Sequence, residues 1–369
     1  MLFYLINNNK ISNLFGLAYK LVNNFTLSSS LSSSYFPGIL ISSVSLSFIQ
    51  KHRIRVPMDP PRFVIQASEA EAMATKSGLT VLQLLPSLVK PAQTLARPPI
   101  SKFHVGAVGY GSSGRVFLGV NLEFPGLPLH HSVHAEQFLV TNLSINGETR
   151  LDYIAVSSAP CGHCRQFLQE IRGAPDIKIL ITSAEPGDED EGIDRPELYK
   201  FNPLLNLLPQ RFGPDDLLDK DTPLVLEPHR NGFSFSSGTH QSFSNGSSCD
   251  ENGQVGLLKL AALEAANNSH APYSGCPSGV AILDSNGKIY KGSYMESAAY
   301  NPSLGPVQAA LVAYIAGGGG GYDKIVGVVL VEKEDALIRQ EQTARLLLQS
   351  ICPDSEFRVF HCSKKACSC

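Results

Sequence analysis

With 369 residues, 43% of them hydrophobic, and a formal charge of −3 at pH 7, the chain can bury one large core or two smaller ones, as a soluble globular protein does. No run of Lys or Arg is interleaved with aromatics, which excludes the electrostatic footprint of a nucleic-acid binder and leaves a small ligand as the expectation. Eight cysteines are too sparse for a disulfide scaffold, so the closely spaced Cys161 and Cys164 read as metal ligands in a reducing, cytosol-like compartment.

Residues 1–57 contain eleven Ser, five Lys or Arg, and no Asp or Glu. Ser-rich and acid-poor composition suits an organelle transit peptide, although Arg is scarce before Arg53. The alternative is a leader or artefactual extension upstream of a start at Met58. Apolar runs such as GILISSVSLSFI fall short of the roughly 20 residues that cross a bilayer, so no membrane segment is expected. A cytosolic location follows from a start at Met58, and an organellar one from a transit peptide in 1–57.

From Met58 the pattern alternates between helix and strand. EAEAMATKSGLTVLQLLPSLVKPAQTLA predicts helix with a proline break; FHVGAVGY, the turn GSSG and RVFLGVNLEF predict a hairpin of half-buried strands. A helix is expected from about His134. LDYIAVSSA reads as a strand, CGHCRQFLQEIRG as a helix closed by Gly173, and DIKILITSA as another strand. The outline is βαβαβ, an α/β fold with a mixed sheet covered by helices, in a first domain over 58–230. Residues 231–253, NGFSFSSGTHQSFSNGSSCDENG, are Ser- and Gly-rich and read as a linker.

A second domain over 254–362 repeats the first. PYSGCPSGVAILDSNGKIYKGSYMESAAYNPSLGPVQAAL lies over ISKFHVGAVGYGSSGRVFLGVNLEFPGLPLHHSVHAEQFL, with Glu296 on Glu123. In this overlay Pro306 falls on His134 and Gln308 on Glu136, and VVLVEKEDALIRQ covers IAVSSAPCGHCRQ without a cysteine. The second copy is therefore degenerate and non-catalytic. The glycine run at 317–321 lacks the Lys and Ser/Thr of a phosphate cradle and reads as a loose connection without functional weight. Residues 363–369 form a tail; Cys362, Cys367 and Cys369 lie in a stretch expected to be disordered rather than a second metal site.

The chemistry concentrates in the first copy. Cys161 and Cys164, at i and i+3 on a first helical turn, share a face and can ligate one ion. His134 and Glu136 can converge only on a point near the axis of their helix, beyond its N-terminus. One His and two Cys make three protein ligands with a fourth position for water, the pattern of catalytic zinc, one ion per chain. Glu136 is then the proton carrier for that water. His163 reads as a neighbour of the site rather than a ligand, and His130 and His131 as loop residues.

These motifs identify a resemblance. His134-Ala135-Glu136 followed by Pro160-Cys161-Gly162-His163-Cys164 matches the signature of zinc nucleobase deaminases. With SKFHVGAV, NLEFPG, PCGHCRQFLQE, RFGPDDL, PYSGCPSGVA and ESAAYNPSLGPVQAAL, the chain resembles the large two-domain cytidine deaminases, in particular the plant form, over about residues 58–362. The resemblance implies two related deaminase-like domains, the second degenerate, and hydrolysis of cytidine and deoxycytidine to uridine and deoxyuridine with release of ammonia, in pyrimidine nucleoside salvage. It also implies a homodimer, with no nucleic-acid or membrane partner. It carries substrate contacts onto Phe103, Asn121, Leu122, Glu123 and Ala135, with Asn121 and Glu123 on the ribose hydroxyls and Phe103 against the base. Ser158-Ala159 depart from the Tyr-Thr that relatives often carry before the cysteine motif.

Overall fold

The computed structural model describes residues 62–182, 200–235 and 249–364. The expected leader, the middle of the expected linker, and Cys367 and Cys369 lie outside them, whereas Cys362, expected in a disordered tail, is buried in the last strand, which pairs along its length with its neighbour. Two sheets organise the described chain. The first contains β1 (Val64–Ile65), β2 (Gly106–Gly111), β3 (Val116–Val120), β4 (Leu151–Val156), β5 (Lys178–Ile181) and β6 (Asn202–Pro203) in the order β1-β3-β2-β4-β5-β6. β2 runs antiparallel to both β3 and β4, whereas β4 and β5 are parallel. A parallel pair needs a crossover.

Helices α1 (Ala67–Lys76), α2 (Val81–Gln93) and α3 (Ala135–Ile145) belong to this layer. The β4–β5 crossover carries α4 (Gly162–Phe167) and a 3-10 turn, Leu168–Glu170, and the short α5 (Leu204–Leu207) follows β6. A Cβ on Gly106 would meet the backbone of α2, and one on Gly109 would meet Leu139 of α3. Successive strand residues face opposite ways, so helices cover both faces of the sheet. This is why β3, VFLGV, is buried along its whole length. The expected proline break falls elsewhere: Pro86 and Pro91 lie inside α2, and the chain turns instead at Gly78 (φ 67°), before Thr80 caps the helix. The buried face Leu84, Leu85, Leu88, Val89 and Ala92 holds the helix through both prolines.

The second sheet contains β7 (Phe233–Ser234), β8 (Ser278–Asp284), β9 (Ile289–Ser293), β10 (Ile325–Lys333) and β11 (Glu356–Lys364), in the order β7-β11-β10-β8-β9. Helices α6 (Cys249–Asn267), α7 (Pro306–Ala316) and α8 (Glu341–Ile351) accompany it. β8 is antiparallel to β9 and β10, and β10 is parallel to β11, so β9-β8-β10-β11 repeats β3-β2-β4-β5. Regular structure enters both ends of the segment 231–253 that composition marks as linker. Phe233 is buried and its strand pairs with the end of β11, while α6 starts at Cys249. A two-residue edge strand held through its backbone leaves little compositional trace.

The repeat has one register that the sequence overlay misplaces. Leu122 bridges Arg97 and Val133, and Met295 bridges His270 and Leu304 in the same senses. Glu296 therefore stands on Glu123, as expected. Beyond the bridges, Gly305 caps α7 where His134 caps α3. Gly305 and Val307, not Pro306 and Gln308, occupy the positions of His134 and Glu136, and Gln308 matches Gln137. The connection from 295 to 304 is two residues shorter than that from 122 to 133, a difference an ungapped reading cannot place. Neither substitute offers a metal donor.

The two layers share one apolar core, with Phe138, Leu139 and Leu143 of α3 and Leu311, Val312 and Tyr314 of α7 in the same cluster. Equivalent residues lock the halves together. Arg97 donates to the carbonyls of Gly319 (3.4 Å) and Gly320 (3.0 Å), and His270 pairs with Glu170 through Nε2 at 3.3 Å. The glycine run at 317–321 is thus a docking loop, not a loose connection.

Each helix also lies extremely close to its sheet. A Cβ at Gly119 would stand 2.2 Å from the carbonyl oxygen of Ala135, and one at the equivalent Gly292 would stand 2.0 Å from the backbone nitrogen of Ala310. Gly119→Ala is expected to push the start of α3 off the sheet and to cost about 1–3 kcal/mol in urea denaturation, the usual range for overpacking. Gly256→Ala, inside α6 with nothing within 4 Å of the added carbon, should leave the midpoint unchanged or raise it. An unchanged midpoint for Gly119→Ala would contradict the close-packing reading.

Candidate metal and catalytic site

His134 sits at the N-cap of α3 with extended backbone, and Cys161 at the N-cap of α4. Because each cap residue stands at the mouth of its helix, its side chain can turn toward the helix axis, where a mid-helix residue could not. Cys164 follows three residues after Cys161, on the same side of the first turn. The arrangement brings His134 Nδ1 to 3.5 Å from Cys161 Sγ and 3.2 Å from Cys164 Sγ, with the two sulfurs 3.7 Å apart. Among the described residues, this is the one group of three metal-ligand side chains gathered around a point. The donor set of one imidazole and two thiols fits zinc. His134, Cys161 and Cys164 form the candidate zinc site.

The electrostatics agree with that use. Hydrogen bonding from Cys164 and from His134 pulls the Cys161 thiol down to about 3, and the same hydrogen bond with Cys161, joined by burial, pushes Cys164 up. The hydrogen bond to Cys161 raises His134 despite its burial. The hydrogen bonds thus favour the thiolate at Cys161 and the protonated forms of Cys164 and His134. Metal binding has to expel those protons.

Glu136 lies one residue into α3, only 4% exposed, with Oε2 at 3.2 Å from Cys164 Sγ. Burial raises its carboxyl above the ordinary value. Ala135, also buried, holds the backbone between the His134 ligand and this acid. His163 stays outside the ligand group, its ring 5.1 Å from that of His134. His130 and His131 stack on each other at 4.3 Å in the 3-10 turn that leads to His134.

The polar side chains among the expected substrate residues already have internal partners. Asn121 accepts from Val105 N–H at 2.9 Å and donates to Phe103 O at 2.9 Å. Glu123 accepts from the backbone N–H groups of Ile100 and Ser101 and from the Ser101 hydroxyl. Burial would raise its carboxyl, but these hydrogen bonds together hold it below the usual range. Leu122 lies between them, fully buried in its two bridges. Both polar side chains therefore shape the 100–105 loop, which presents Phe103 at 58% exposure. The degenerate half keeps the same device: Glu296 accepts from Tyr273 N–H, Ser274 N–H and the Ser274 hydroxyl. Loop bracing is thus part of the architecture in both copies.

Several supporting residues escape motif reading. Arg165 donates Nε to Pro160 O at 2.7 Å and Nη1 to Leu207 O at 3.0 Å, which fixes the turn that carries Cys161. Gln137 accepts from His134 N–H at 3.2 Å, a capping contact on the ligand itself. Only the spacing from His134 to Gln137 could have flagged that cap.

Residues 80–181 and 204–345 each match a family model described as the cytidine and deoxycytidylate deaminase zinc-binding region. The chain is 63% identical over 309 residues to cytidine deaminase 1 of Arabidopsis thaliana, covering 83% of this chain and 99% of that protein. The chain belongs to the cytidine deaminase family. Cytidine deaminases 6 and 7 of the same plant are 50% and 51% identical, each over 82% of this chain and 98% and 95% of their own lengths. Although the second matched region carries the zinc-binding description, it contributes none of the donors in the described metal group. In a cytidine deaminase with this geometry, elemental analysis should find one zinc per chain. Cys161→Ala and Cys164→Ala should each lose most of it, because two protein donors rarely hold catalytic zinc. Cys276→Ala, Cys352→Ala and Cys362→Ala should keep it. Full zinc in either ligand variant would refute the donor set.

Proposed function

We propose that this chain hydrolyses cytidine and deoxycytidine to uridine and deoxyuridine, releasing ammonia, as an enzyme of pyrimidine nucleoside salvage. The observation that carries the reading is a buried carboxyl, Glu136, held beside three zinc donors without belonging to the set. A structural metal site has no use for such a group. Zinc held by His134, Cys161 and Cys164 would supply Lewis acidity and lower the pKa of a water toward about 7.

The remaining chemistry falls to Glu136. Its carboxylate takes a proton from the attacking water and delivers it to ring nitrogen 3 as the C–O bond forms at carbon 4. It then carries the second proton to the amino group, and the C–N bond breaks to leave ammonia and the carbonyl of uridine. A raised pKa suits a group that must hold a proton between the two deliveries. Phe103, exposed on its loop, is assigned to the base. The free lone pairs and N–H of Asn121 and Glu123, beyond those spent on the loop, are assigned to the ribose hydroxyls, with Leu122 and Ala135 lining the same path. An acid at position 123 disfavours a substrate phosphate, so the nucleoside is preferred over its nucleotide.

The proposal includes a homodimer, supported by exposed apolar side chains such as Leu129 and Tyr300. It includes a cytosolic location, supported by thiols that serve as ligands, with organellar import through residues 1–57 as the alternative. Among the described residues, no helix is long and apolar enough to cross a membrane. Nucleic acid is not proposed as a partner.

Glu136→Gln should fold, keep its zinc and lose at least about 10²–10⁴ in kcat, since an amide cannot relay protons. Absorbance-monitored turnover of cytidine, deoxycytidine, CMP and cytosine by the zinc-loaded parent should show the two nucleosides as the good substrates. Near-parental turnover by a zinc-replete Glu136→Gln, or CMP as the preferred substrate, would sink the reading.

A further inference from the structure

Glu170 is fully buried, and every side-chain hydrogen bond described for it comes from the other half of the chain. Oε1 accepts from Ala298 N–H at 2.7 Å; Oε2 accepts from the Tyr273 hydroxyl at 2.7 Å and lies 3.3 Å from His270 Nε2. A carboxyl group in so dry a place needs hydrogen-bond partners for both oxygens. Glu170 ends the 3-10 turn that continues α4, so it stands six residues from Cys164 on one short rigid piece of chain. On the opposite side, Gln137 accepts from His134 N–H through Oε1 and donates Nε2 to Pro302 O at 3.0 Å. Gln137 is itself buried and adjacent to Glu136.

The two contacts meet the same segment. Residues 298–302 belong to the loop between β9 and α7, the counterpart of the loop that leads to His134 in the first half. One end of this segment is held by the element that carries both cysteines, the other by the element that carries His134 and Glu136. Between them the chain runs through the sixteen residues 146–161, by way of β4, and their first turns also touch at the metal donors.

We propose that residues 298–302 act as a strap that sets the spacing between the two halves of the zinc site, with Glu170 and Gln137 as the positioning residues that grip it. Neither touches the metal donors' reacting atoms; each acts through the backbone that carries them. The strap gives the degenerate half a task in the first half's chemistry. Groups that orient metal ligands from behind typically change metal affinity about 10–100-fold when altered. The strap is expected to show the same signature.

The inference rests on zinc being held by His134, Cys161 and Cys164, which the cysteine variants test separately. Its own test uses zinc-loaded full-length protein and its cobalt-substituted form. Glu170→Gln exchanges an acceptor for a donor at one arm of the carboxyl group, Tyr273→Phe deletes one hydroxyl, and Gln137→Ala releases Pro302 together with the cap on His134, so the Glu170 and Tyr273 variants decide the test. Zinc transfer to a colorimetric chelator should be about tenfold faster or more in Glu170→Gln, and severalfold faster in the other two. The visible absorption of bound cobalt should shift in all three, and kcat should fall while KM for cytidine stays within about twofold. Should Glu170→Gln fail to fold, Tyr273→Phe carries the test alone. Parental zinc release and cobalt spectra, with only a lower melting temperature or only a raised KM, would overturn the strap while leaving the zinc site and its reaction standing.

Discussion

Everything in this protein depends on two helices opening toward one point. His134 and Cys161 are cap residues, and a cap residue is the one place where a side chain can be aimed along a helix axis while its backbone still starts the helix. Because both helices present their first turns, the metal donors and the buried acid gather within a few ångströms. The favourable end of the α3 dipole faces the sulfurs and lowers the cost of holding negative charge there. Neither helix could be moved along its axis by one residue without losing a donor.

Holding the helices in that relation is the work of the sheet and of the second half. Gly119 lets α3 lie against β3 with no side chain between, and Gly292 does the same for α7. The β4–β5 crossover delivers the cysteine turn to the end of the sheet where α3 begins. The degenerate half then packs α7 on α3 and reaches both ligand elements through one loop, at Ala298 and Pro302. Gly305 and Val307 offer no donors, yet the second half keeps the packing on which the first depends.

The sequence made the zinc triad legible because its chemistry depends on local spacing: two cysteines three apart, and a His-x-Glu at a helix start. The two-copy α/β architecture was equally visible in the order of strands, turns and the paired Glu123 and Glu296. What stayed hidden depends on distances through space. Gln137 and Glu170 look like ordinary polar residues of a helix until the second half is laid against them. The register of the degenerate copy was off by one because loop length, unlike periodicity, leaves no internal mark. Arg97 turned the glycine run at 319–320 into a hydrogen-bonded dock, and nothing in five consecutive glycines announces a partner more than two hundred residues away.

The central claim is that these two helix mouths build a single zinc centre in a chain that contains two deaminase-like halves. Anomalous scattering from crystals of the zinc-loaded protein, collected on both sides of the zinc absorption edge, tests it most directly. The account predicts one peak per chain, at about 2.3 Å from Cys161 and Cys164 Sγ and about 2.0–2.1 Å from His134 Nδ1, with Glu136 beside it but not bound to it. A second peak near Gly305 and Val307, or a first peak ligated by Glu136 or His163 in place of one of the three donors, would contradict it.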